Sequence, residues 1–128
     1  MTVYVCLDDR NGMLFNNRRQ SRDRAVLEDI RASVSGTLTI DAFSEKLIAP
    51  AEIPFVLGEP APGVHFFLEN RKASEILPMA ERVVIYRWNR AYPGDFRFDG
   101  DLSGFTLRST EEFPGKSHER ITKEVYVR

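Results

Sequence analysis

The stretch Ile76–Phe105, ILPMAERVVIYRWNRAYPGDFRFDGDLSGF, limits the folds open to this chain more than any other. At its centre Val83, Val84, Ile85 and Tyr86 form a run of β-favouring residues. A strand apolar on both faces is a central strand covered on two sides. Upstream, the Leu77-Pro78 step predicts the end of a helix, because proline disfavours helical backbone at the residue before it and removes a donor. Downstream, Arg87, Trp88, Asn89 and Arg90 restore polar alternation. Pro93-Gly94-Asp95 predicts a turn in which proline presets its own φ and glycine accepts a positive one. Phe96 and Phe98, two apart, then face one side of the next strand.

With 128 residues, 42% of them hydrophobic, the chain suits one domain over 1–128 whose core needs neither disulfide nor metal. Eighteen basic and nineteen acidic residues give a formal charge of -1, which argues against general nucleic-acid binding through overall charge. A local basic patch stays open. Cys6, the single cysteine, has no internal disulfide partner and sits in the apolar run VYVCL as a small buried hydrophobe. No apolar run approaches the roughly 20 residues that span a bilayer, and no basic region followed by an apolar one opens the chain. A cytoplasmic protein without membrane contact is therefore expected. His65, His118 and Cys6 are too scattered for a zinc site, and no close His/Asp cluster supports metal-dependent hydrolysis, so no metal is expected.

Along the chain, Val3–Leu7 predicts a first strand closed by Asp8, Asp9, Asn11 and Gly12. Met13, Leu14 and Phe15 follow as an exposed apolar loop leading into the polar Asn16–Arg22. Val26, Leu27 and Ile30 recur at helical spacing from about 22 to 34, with Ser21 or Asp23 as the N-terminal cap and Ser35-Gly36 as the stop. Thr37–Ala42 predicts a strand, and Ala49–Gly63, holding four of the seven prolines, a loop around Ile53–Leu57. Val64–Leu68 predicts another strand, Lys72–Leu77 a helix, and Phe105–Ser109 with Ile121–Val127 a C-terminal hairpin.

Taken together, LPMAERVVIYRWNRAYPGDFRFDGDLSGF resembles the dihydrofolate reductase segment that runs from the helix after the glycine pair to the acidic, aromatic turn before the C-terminal hairpin. DDRNGMLFNN is similar to that family's first strand and mobile substrate loop, and EEF followed by KEVYVR to its last two strands. The resemblance implies a dihydrofolate reductase-like α/β fold: a mixed, mostly parallel central sheet flanked by helices, with an antiparallel C-terminal hairpin. It also implies an acid near the start of the first helix that helps protonate the pterin. Ala25 or Val26 falls there, and Asp23, two or three residues away, is the candidate catalytic acid. As an N-terminal carboxylate, Asp23 is equally explained by the helix dipole.

Several family features are altered. Polar residues near Arg19, Gln20 and Ser21 replace a leucine-proline-tryptophan step. At the strand end where the family holds cofactor phosphates with a glycine, a basic residue and a threonine, this chain has Asp41, Ala42, Phe43 and Ser44. Glu69 and Asn70 stand where the glycine pair lets backbone approach the pyrophosphate, and Glu69 adds negative charge. The interval 49–63 is shortened. Three changed elements serving one ligand imply loss of conventional NADPH binding.

What remains is cationic. Arg18, Arg19, Arg22 and Arg24, with Arg87 and Arg90 opposite, suit carboxylates or phosphates, and Trp88 suits a planar ligand or core packing. The preferred reading is a small anionic ligand in a basic cleft. One alternative is a divergent NADPH-dependent reductase of a pterin or related heterocycle that uses Asp23. Another is a structural or interaction module that pairs as a homodimer through Met13–Phe15. His118 has the chemistry for proton transfer near neutrality, but sequence fixes no partner for it; His65 reads as structural.

Overall fold

The computed structural model describes residues 1–128. Its strands are β1 (Thr2–Leu7), β2 (Gly12–Phe15), β3 (Arg18–Arg19), β4 (Leu38–Ile40), β5 (Phe55–Leu57), β6 (His65–Leu68), β7 (Arg82–Arg87), β8 (Phe96–Arg97), β9 (Thr106–Phe113) and β10 (Ile121–Val127). Its helices are α1 (Arg24–Ser33), α2 (Glu45–Ile48) and α3 (Ala73–Ile76). Seven strands form one sheet in the order β5-β4-β6-β1-β7-β10-β9, parallel from β5 to β7 and antiparallel at β10 and β9. The mixed, mostly parallel sheet with a terminal hairpin is thus the expected one. A second, three-stranded sheet joins β3, β2 and β8.

Period-two alternation divides the core between the two faces of the sheet. Val3, Val5 and Leu7 of β1 and Val83 and Ile85 of β7 pack with Ile76 and Leu77 on one face. Tyr4 of β1 and Val84 and Tyr86 of β7 pack with Val26 and Ile30 of α1 and Leu47 and Ile48 of α2 on the other. Both faces of the Val83–Tyr86 run are therefore covered, at about 1.5–3 kcal/mol for each large side chain removed from water.

The Leu77-Pro78 step ends α3 by tightening it into a 3-10 turn over Leu77–Met79. The Tyr86 hydroxyl donates to the Asp29 carboxylate of α1 at 2.6 Å, tying sheet to helix. Burial first, and then this bond, push the Tyr86 phenol far above its ordinary range. Tyr86→Phe is expected to cost about 1.5 kcal/mol, the low end for a bond to a charged acceptor, because Lys123 still pairs with Asp29 at 2.7 Å. Urea denaturation of the variant beside the parent measures it.

Local expectations fail where tertiary contacts override them. Met13 and Leu14 are not an exposed loop: they lie in β2, pairing with β3 and β8, and are 6% and 4% exposed. Only Phe15 of that trio is exposed. Gly94 takes no positive φ; the left-handed residue in this region is Asn89, at φ 58, which turns the chain directly after Trp88. The first hairpin strand runs past Ser109 to Phe113, and Phe55–Leu57 forms an edge strand rather than loop.

Candidate functional site

The chain leaves β1 for β4 and β5, returns to β6, and then crosses to β7 on the other side of β1. Such a switch opens a crevice at the carboxyl ends of the parallel strands. Here it holds a narrow cleft, with Cys6, Phe67, Glu69 and Trp88 at the strand ends and Met13 and Leu27 across from them. Cys6 is half-buried on this wall. Burial, reinforced by the Glu69 charge, pushes its thiol far up, so Cys6 is a neutral thiol rather than a nucleophile.

One wall of the cleft is set by a buried acid. Asp23 caps α1 by accepting from the Ala25 N–H at 2.8 Å. Its carboxylate also accepts the N–H groups of Lys116, Ser117 and His118, folding the β9–β10 loop over the helix start. Gly115 is required at that loop, since a Cβ there would stand 2.6 Å from Asp23 Oδ2. His118 Nδ1 lies 2.9 Å from the same oxygen, with the Asp23 and His118 side chains 0% and 2% exposed. The imidazole stacks on Trp88, centroids 4.6 Å apart and planes 16° from parallel. Its Nε2 faces the Ser21 hydroxyl at 3.1 Å and the Tyr92 hydroxyl at 2.8 Å, and the two hydroxyls are 3.2 Å apart. Burial alone would raise the Asp23 pKa, but the N–H and His118 hydrogen bonds outweigh it and hold the carboxyl below its ordinary value.

A second buried acid, Asp8, positions the cleft's rim. It accepts the N–H groups of Arg10, Gly12 and Tyr92 and the Gln20 side-chain amide. Burial opposes these bonds and they again prevail, lowering its pKa.

The opposite wall is closed by ion pairs. Arg19 of β3 grips Glu69, after β6, through two bonds of 2.6 and 2.7 Å, and the Ser44 hydroxyl adds a third at 2.7 Å. Arg19 lies over the Phe43 ring, 5.4 Å from its centroid. Beyond it, Arg71 makes a two-point contact with Asp41, after β4, and a further contact with Glu59. Glu69 is thus not a bare charge directed at an incoming polyanion; it is neutralised, and the pair occupies the strand ends. Ala42 begins the 3-10 turn Ala42–Ser44, and Asn70 is exposed beside Glu69.

The predicted cationic constellation is dispersed. Arg19 is committed to Glu69. Arg87 binds Glu124 at 2.8 Å and Asn11 at 3.0 Å, away from the cleft. Arg18 lines an outer depression with Phe15, Asn16 and Pro93. Arg90 lies over Tyr92, and the Trp88 face is taken by His118. Arg22 does reach the cleft, and it continues into a groove lined by Arg24, Arg31, Lys46 and Lys116 against Glu28 and Glu52. The ion pairs of the chain leave Arg22 and Arg24 without an acidic partner.

Sequence reasoning missed the Asp23–His118 pair and the bond that the Gln20 side-chain amide donates to the Pro93 carbonyl, because the partners lie 95 and 73 residues apart along the chain. The acid ahead of α1 and the glycine in the β9–β10 loop were the available signals. His65, by contrast, has the structural hydrogen bond expected, from Nδ1 to the Tyr4 hydroxyl at 3.0 Å.

No family model matches the chain, and a search of curated proteins finds no match. Among solved structures it is similar to the dihydrofolate reductase of Enterococcus faecalis, complexed with NADP(H) and RAB-propyl. The TM-score is 0.71 at 12% identity, over 99% of this chain and 95% of that one. The fold is therefore that of dihydrofolate reductase. No helix is long and apolar enough to cross a membrane.

Proposed function

We propose that the chain binds a small organic anion at the mouth of this cleft and in the basic groove that continues from it, and does not carry out NADPH-dependent hydride transfer. The observation that carries the reading is the asymmetry of the two walls. The side where a dinucleotide would lie is filled by the Arg19–Glu69–Ser44 and Arg71–Asp41 contacts, while the side along α1 is open and basic. Glu69 is only 9% exposed, so admitting a pyrophosphate would mean burying its charge without Arg19. Asp41, Ala42, Glu69 and Asn70 thus replace a phosphate site with a closed surface.

An apolar edge of the ligand rests on Leu27 and Leu47, which the cleft and the groove beyond it share, and its charge lies toward Arg22, Lys46 and Lys116. Gln20 Oε1, buried without a hydrogen-bond partner, offers an acceptor to a ligand N–H. A reductase mechanism through Asp23 has less support, since that carboxylate is occupied by backbone N–H groups and His118. A homodimer through Met13–Phe15 loses its motive with Met13 and Leu14 buried. A reducing cytoplasm suits the lone thiol.

Calorimetric titration tests the reading, with NADPH and with p-aminobenzoylglutamate, an aromatic amide bearing two carboxylates. The expected result is no saturable heat with millimolar NADPH, and saturable, salt-sensitive binding of the carboxylate that weakens at least tenfold in Arg22→Glu and Lys46→Glu. Saturable NADPH binding, or carboxylate binding indifferent to both variants, overturns it.

A further inference from the structure

We propose that Ser21, His118 and Asp23 form an acyl-transfer site on the wall of the cleft, with Ser21 Oγ as the nucleophile and His118 Nε2 as its base. Nucleophilic catalysis by serine needs three things from a protein: a hydroxyl facing a reactant, an imidazole nitrogen in hydrogen-bond reach of it, and an acid that fixes the ring's tautomer and orientation. All three are built here. Ser21 lines the cleft and is half-buried. Its Oγ is 3.1 Å from Nε2, and Nδ1 on the far side of the ring is 2.9 Å from Asp23. Asp23 is the carboxylate hydrogen-bonded to the ring, and its bonds to three backbone N–H groups immobilise it. Trp88 holds the ring plane by stacking. Asp23 and Trp88 are positioning residues; Ser21 and His118 would touch the reacting atoms.

A loop clamp alone explains Asp23 but not the rest. The N–H groups of Lys116, Ser117 and His118 already tie the loop to α1, and no clamp requires Nε2 to be turned toward two hydroxyls, that of Ser21 at the cleft among them. Nε2 has one lone pair and so takes one hydrogen at a time. When Tyr92 donates to Ser21, the Ser21 proton is free to lie on Nε2, which is the competent arrangement.

The reaction balances without oxidant or reductant. Ser21 Oγ bonds to the acyl carbon as the bond from that carbon to an alkoxide or thiolate leaving group breaks. The Ser21 proton passes to Nε2 and on to the leaving group. In the second half, water gives a proton to Nε2 as its oxygen bonds to the acyl carbon, and Ser21 leaves with that proton. Arg22, next in sequence and on the same wall, is the positive group available to the developing oxyanion. The substrate class is an ester or thioester with an anionic acyl portion; this class rests on the binding reading above, whereas the nucleophile itself does not.

The test is labelling of the intact protein with a neutral alkyl fluorophosphonate, followed by mass spectrometry of the peptides. Expected are one adduct, on Ser21, a rate that rises with pH, and loss of the adduct in Ser21→Ala. His118→Gln, if folded by circular dichroism, should slow labelling about a hundredfold or more; should it not fold, the pH profile of the unaltered chain decides. No Ser21 adduct under conditions that label a reference serine hydrolase, an adduct elsewhere, or a rate indifferent to pH overturns the proposal. Because the probe carries no anion, these results stand apart from the calorimetry.

Discussion

Asp23→Asn is expected to lower stability by about 3 kcal/mol, because each buried donor left without its acceptor costs about 1–3 kcal/mol. The carboxylate has no exposed side-chain surface and accepts from three loop N–H groups, the Ala25 N–H and His118. An amide offers one acceptor oxygen and turns its NH₂ toward donors that need a lone pair, so several buried N–H groups lose their partner at once. Against a total of about 5–15 kcal/mol for a domain, that is a large share. The melting temperature should fall on the order of 10 °C, and hydrogen exchange at Lys116, Ser117 and His118 should quicken.

The pH dependence follows from the direction of the shift. Burial favours the protonated acid, but the hydrogen bonds prevail and the folded pKa lies below the unfolded value, for Asp23 and for Asp8 alike. The stabilisation is therefore complete above the unfolded carboxyl value of about 3.9 and is lost as pH falls from there through the folded pKa. Thermal melts from pH 7 down to pH 2 should drop steeply below about pH 4, and Asp23→Asn should lose part of that slope. A variant that melts with the parent at every pH would mean that Asp23 holds neither loop nor imidazole.

The second large effect belongs to the closed wall. Glu69→Gln or Arg19→Met alone is expected to cost about 2–3 kcal/mol, below the full figure for a buried pair because Arg19 keeps 22% of its side chain in solvent. The double change Arg19→Met with Glu69→Leu should cost clearly less than the sum, since no charge is then left buried alone. A double-mutant cycle read from urea midpoints measures the coupling. A coupling below about 0.5 kcal/mol would show Arg19 acting independently of Glu69, and it would return to the cations available for an anion.

Much of the architecture was legible before any coordinates. Val83–Tyr86 announced a strand covered on both faces, Val26, Leu27 and Ile30 a helix with Asp23 before it, and Ile121–Val127 the last strand; each signal lies within a few residues of chain, where periodicity and turn chemistry act. Asp41, Ala42, Glu69 and Asn70 were read as an altered phosphate site through the family resemblance, and that reading enters the proposed function. Their chemistry did not follow from their identity: Glu69 reads as a repelling charge until Arg19, 50 residues earlier, is placed against it. Met13 and Leu14 read as an exposed loop until β8 pairs with β2.

His118 is the clearest case. In sequence it is one histidine in a charged loop, yet in space it is buried between Trp88 and Asp23 and aimed at Ser21 and Tyr92. Hydrophobic period, turn residues and helix caps are local and survive in the one-dimensional record, so the chain by itself determined its central strands, its main helix and most of its core. Hydrogen bonds and ion pairs between side chains depend on distances of about 3 Å between residues far apart in sequence. Only the tertiary structure brings them together, and only it decided which charges are free, which are spent on one another, and what His118 faces.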